Sequence, residues 1–128
     1  MLNKTYEAGG VSITLRSYRT FRAEIFLQEC VAMFGASQTW NNRQQVFAIC
    51  DPLLQEVKVA EGELSQDGEI LKEYMQKRTE NLAGDWNLFL DMFNFGALKL
   101  LWDAYLATRD NSIEIPPDVP DEKKMNTD

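Results

Sequence analysis

The chain has no histidine. That absence removes the usual general base near neutral pH, the commonest metal ligand and every nucleophile–histidine arrangement. Cysteine is scarce: Cys30 and Cys50 stand twenty positions apart with no Cys-x-x-Cys spacing, which argues against a zinc site. Both lie among apolar neighbours in helical patterns and read as buried thiols of a reducing compartment. No glycine-rich phosphate loop is present, because Gly9-Gly10 precedes a strand pattern rather than a helix N-terminus. No apolar run approaches the roughly 18 residues of a membrane span, and no N-terminal signal pattern appears. Positive charge is also short. Thirteen basic residues face twenty acidic ones, a net charge of −7, and nucleic-acid binding needs a basic footprint.

These absences leave little room for catalysis. Paired carboxylates, such as Glu24 with Glu56 or Asp51, are the remaining route to acid–base chemistry. In an acidic helical chain such pairs are mostly solvated surface charges, so no catalytic, cofactor-binding or metal-binding residue is expected. Arg19 and Arg22, one turn apart, make either a small anion site or surface ion pairs with nearby glutamates.

What the chain does hold is apolar and aromatic. Seven Phe, four Tyr and three Trp among 128 residues suffice for one core. The alternation of Val11, Ile13 and Leu15 with Ser12 and Thr14 predicts a half-buried strand. Gly9-Gly10 supplies the turn of a hairpin whose other strand is Leu2 to Glu7. Helical spacing of Tyr18, Phe21 and Ile25, with Ser17 as cap, predicts a first helix over about 18–34, stopped by Gly35. A second helix, capped by Ser37 or Thr39, is expected over about 42–60, kinked or restarted at Pro52 with Asp51 as a new cap. Asp67 opens a third, with Ile70, Leu71, Tyr74, Met75 and Leu82 on one face. Gly84-Asp85 reads as a C-cap beside an N-cap, between antiparallel helices.

A fourth helix over about 86–108 carries two apolar stripes. Trp86, Phe89, Leu90, Phe93, Ala97, Leu100, Leu101 and Ala104 gather on one side. Leu88, Met92, Phe95, Trp102 and Leu106 gather nearly opposite, with Lys99 among them. Either the helix is buried all round, or the second stripe, Leu88, Met92, Phe95 and Trp102, is a protein-interaction surface. Beyond Asn111 come Pro116, Pro117, Pro120 and six acids from Asp110 onward against Lys123 and Lys124, a net of −4. The expected fold is mainly α: four or five helices in a small orthogonal or antiparallel bundle, preceded by a short N-terminal β-hairpin. One domain over 1–110 (hairpin 1–15, helices 16–110) is followed by a disordered acidic tail at 111–128.

The opening residues Lys4, Thr5, Tyr6, Glu7, Gly10, Val11, Ile13, Thr14 and Leu15 resemble the start of the G-type tail assembly chaperones of lambda-like siphophages. Those proteins begin with a Lys-Thr pair, an aromatic-Glu, a Gly-Val turn, an alternating strand and then a helix. The resemblance implies a non-enzymatic factor that binds the tape measure protein, with the major tail tube protein as a second candidate partner, and self-associates in the host cytoplasm. It implies absence from the mature virion, and a frameshift-extended form arising near Lys123 and Lys124. The competing expectations are an acidic phage-encoded inhibitor that mimics DNA, and a permanent structural component of the tail.

Overall fold

The computed structural model describes residues 2–62, 65–78 and 85–109. The chain opens with β1 (Asn3–Ala8) and β2 (Val11–Arg16), an antiparallel hairpin. Gly9 and Gly10 join them at φ 57° and 80°, the left-handed conformation that a two-residue hairpin turn demands. Val11, Ile13 and Leu15 are buried, while Ser12, Thr14 and Arg16 on the other face are half-exposed. The expected alternation is present.

Helix α1 (Phe21–Phe34) begins later than its spacing predicted. Thr20, not Ser17, is its cap: the hydroxyl accepts from the Ala23 N–H at 3.2 Å. The Ser17 N–H is instead tied to the Leu2 carbonyl at the base of the hairpin, 2.8 Å away. Gly35, at φ 95°, ends the helix as expected. Ser37 and Thr39 fall in a 3-10 turn, and α2 (Asn42–Cys50) is capped by Asn41 in a reciprocal box with Gln44.

The helix predicted to reach residue 60 stops at Cys50. Pro52 forms a 3-10 turn over Asp51–Leu53, and the chain then runs as β3 (Leu54–Val59). This strand pairs antiparallel with β2, giving the order β1-β2-β3. An irregularity between Thr14 and Leu15 breaks the strict period of two along β3, so its sequence, Leu-Gln-Glu-Val-Lys-Val, reads as a helix. The open edge of β2 and the β-branched Val57 and Val59 decide the outcome.

Helix α3 (Gln66–Lys77) is capped by Ser65, whose hydroxyl accepts from the Gly68 N–H. Asp85 caps α4 (Trp86–Met92) as expected, accepting from the N–H groups of Asn87 and Leu88. The single helix expected over 86–108 is in fact two. Phe93 is extended, at φ −78° and ψ 138°, and Asn94 caps a new helix, α5 (Phe95–Thr108), accepting from the Ala97 N–H at 2.8 Å. Asparagine competes for backbone N–H groups in this way and favours caps over helix interiors. Leu82, Gly84 and the tail at 111–128, with Lys123 and Lys124, lie outside the described residues.

The molecule is mostly helical, with a three-stranded antiparallel sheet. Helix α3 packs on β3 and α5, and α5 also meets β1 and β2; α2 joins α5, and α1 leans on α2. Phe47 of α2 is the hub of an aromatic cluster. Its ring lies 5.0–6.4 Å from Phe26, Phe34, Trp86 and Phe89, and Phe89 stacks on Phe93 at 4.1 Å.

One buried ion pair ties the two halves together. Asp51 is fully buried, and the Arg78 side chain at the end of α3 is 8% exposed. Arg78 donates to Asp51 Oδ1 at 2.7 Å, to the Asp51 carbonyl at 2.8 Å and to the Leu54 carbonyl at 2.7 Å. It therefore neutralises a buried carboxylate and adds a charged donor to the carbonyls of Asp51 and Leu54 at the α2–β3 corner. Removing one partner of such a pair leaves an uncompensated charge. Arg78→Ala should destabilise the fold by about 3–5 kcal/mol, read as a large fall in the urea midpoint. A second expectation follows from the close approach of α3 to the sheet. A Cβ on Gly68 would lie 2.6 Å from Val11 Cγ2 and 3.2 Å from Val59 Cγ2. Gly→Ala inside a helix ordinarily stabilises by roughly 0.5–1 kcal/mol. Gly68→Ala should instead lower stability by about 1–2 kcal/mol, because overpacking outweighs propensity; thermal melts of the two proteins check the sign.

Candidate interaction surface

The candidate carboxylates do not converge on a site. Asp51 is held by Arg78, Glu24 by Arg19 at 3.2 Å, and Glu56 lies beside Lys58 on an exposed strand face. Arg19 also donates to the carbonyls of Ala23 and Ile49, so it braces α1 against the end of α2, while Arg22 is exposed. Among the described residues no group of His, Cys, Asp or Glu could hold a metal ion, and no helix is long and apolar enough to cross a membrane.

Cys30 and Cys50 are buried and unbridged. Burial, reinforced by the negative charge of Asp51, pushes the Cys30 thiol up to about 11 and raises Cys50 well above its ordinary value. Both stay protonated near neutral pH and are poor nucleophiles. Burial and then Asp51 likewise hold the Tyr74 phenol neutral.

The break at Phe93-Asn94 changes the geometry of the proposed stripe. Leu88 and Met92 belong to α4, Phe95 and Trp102 to α5, so the four do not share one helical face. Leu88, Met92 and Trp102 are half-buried against the core, whereas Phe95 is 75% exposed. Phe95 and Trp102 are brought together, with Leu98 and Lys99, as one wall of an open groove of about 400 Å³; Asn42, Gln45 and Val46 of α2 line it as well. Leu88 and Met92 take no part in it. Lys99 is bound to Asp103 at 2.8 Å, which raises its pKa and keeps a cation at the lip. The other stripe behaves largely as a core face: Phe89, Ala97, Leu101 and Ala104 are buried, although Leu90 is 45% exposed.

A second apolar surface, on α1, escaped the sequence reading. Phe21 and Ile25, whose spacing predicted the helix, lie on its outer side: Phe21 is 89% and Ile25 56% exposed. The buried side of α1 is Ala23 and Cys30, with Phe26, Leu27 and Phe34 partly covered. At 100° per residue, Ala23 and Cys30 fall opposite Phe21, Ile25, Gln28 and Ala32. The signal was available in the sequence: α1 is apolar on both sides, and the small Ala23 and Cys30 suit the side that packs closely.

The two aromatics flanking Asn94 separate core from surface. Phe93 packs against Phe89 and, at 5.0 Å, Tyr74, so Phe93→Asp should cost about 3 kcal/mol, the range of large-to-small core changes. Phe95→Asp should stay within about 0.5 kcal/mol, since it is exposed and a carboxylate suits the first turn of α5. Circular dichroism melts compare them, and equal losses would place Phe95 in the core.

No family model, no curated protein and no solved structure matches this chain.

Proposed function

We propose that the chain is a non-enzymatic tail assembly chaperone that binds the phage tape measure protein while the tail tube polymerises and then leaves. The observation that carries this reading is the α2–α5 groove with the exposed Phe95 at its lip, a shape that takes the apolar face of a partner helix. The resemblance of Lys4 to Leu15 to the start of the tail assembly chaperones supports the tape measure protein as that partner. The tape measure protein is long and helical, so it offers such faces repeatedly. A net charge of −7 keeps a chaperone with exposed apolar surface soluble and suits reversible binding. On this reading the chain works in the host cytoplasm, is missing from finished tails, and is also made in a longer form extended beyond Lys124.

The test is co-expression with the long helical protein encoded by the neighbouring reading frame, followed by mass spectrometry of purified virions. The tape measure protein should stay soluble and co-purify with the wild type. Phe95→Asp, folded as above, should lose at least tenfold in affinity, since a charge in an apolar contact is costly. The chain should be absent from virions. Its presence there would make it a structural tail component, and solubility of the partner without it would remove the chaperone role.

A further inference from the structure

The outward face of α1 is complementary to itself. Phe21, Ile25, Gln28 and Ala32 form a stripe within an arc of about 60°, and Arg22 and Glu29 flank it on the same side, one near each end. Seven residues apart, those two charges are separated by roughly 10 Å along the axis and do not reach each other. Neither has an ion-pair partner among the described residues.

We propose that the protein dimerises through α1, packed antiparallel on α1 of a second copy about a twofold axis between Ile25 and Gln28. In that arrangement the large Phe21 of each copy meets the small Ala32 of the other, and Ile25 meets Gln28. Antiparallel twofold packing also sets equal flanks side by side, so Arg22 faces Glu29 of the second copy and Glu29 faces its Arg22. A parallel pair would turn this flank toward Val31 and toward Glu24, which Arg19 already holds at 3.2 Å, and Glu29 would meet no cation. Charge therefore selects the direction, and the apolar stripe supplies the contact. The helix has 14 residues, about 21 Å, and its face falls well short of the roughly 800 Å² per partner of stable complexes. The dimer is accordingly weak and reversible with concentration. It does not rest on the tail-assembly reading, whose groove lies on α2 and α5.

Sedimentation equilibrium of the full chain from about 10 µM to about 1 mM at low salt, with the variants Phe21→Asp, Arg22→Glu, Glu29→Arg and the double exchange, tests this. The wild-type mass should rise from 14.7 kDa toward twice that value. Phe21→Asp, at a side chain 89% exposed, should remain folded and monomeric. Each single charge reversal converts two attractive contacts into two repulsive ones and should weaken association by about fivefold or more. The double exchange restores opposite charges across the axis and should recover the wild-type constant. A wild type that stays monomeric across the range overturns the dimer, as does association that Phe21→Asp leaves unchanged. Single reversals without effect, or a double exchange as weak as the singles, overturn the antiparallel pairing. None of these results bears on tape-measure binding, which is read at Phe95.

Discussion

The Asp51–Arg78 pair sets where the helical part of the chain turns into sheet. Pro52 cannot continue α2, so the chain turns at residues 51–54 and brings together the carbonyls of Asp51 and Leu54 and an Asp51 carboxylate with no access to water. A guanidinium has the fork to serve all of them at once, which a lysine ammonium lacks. Because Arg78 sits at the end of α3, meeting that need also positions α3 over β3, where Gly68 permits the backbone to approach Val11 and Val59. The same charge pair colours its surroundings: Asp51 contributes to the raised pKa values of Cys30, Cys50 and Tyr74.

Around this corner the aromatic cluster does most of the cohesive packing. Phe47 and Phe89 bring α1, α2 and α4 into one edge-to-face arrangement, and Tyr74 and Phe93 extend it to α3 and the α4–α5 joint. Aromatic side chains bury large areas in few residues, which suits a chain of this length. Outside that core, among the described residues, lie the α2–α5 groove at Phe95 and the stripe of α1 at Phe21 and Ile25. They lie on different helices, so one molecule can present both at once. For the assembly factor proposed above, one surface would grip a helical partner and the other a second copy, with the acidic balance holding the ensemble in solution.

Local signals made a large part of the fold legible. The hairpin was readable because glycines at positive φ and a period of two are written within a few adjacent residues. Gly35 and Asp85 were readable as helix boundaries for the same reason, since capping is settled by one side chain and its nearest backbone groups. The buried thiols and the lack of a histidine-based site also followed from residue types alone. The break at Asn94 was missed although asparagine is a common cap, because the apolar residues on either side continue a helical period. Its consequence for the site was direct: Phe95 and Trp102 share a groove, while Leu88 and Met92 stay on another helix.

Composition and local pattern determined that this chain folds into a mostly helical domain entered through a β-hairpin. They also determined that no histidine is available to any site. Tertiary structure alone decided that residues 54–59 are a strand, because their conformation depends on the free edge of β2, some forty residues earlier. It alone decided which side of α1 is covered. Helical periodicity shows that both sides are apolar, and only the packing of Phe26 and Phe34 against Phe47 of α2 turns Ala23 and Cys30 inward. Phe21 and Ile25 are left exposed because no other element among the described residues covers them.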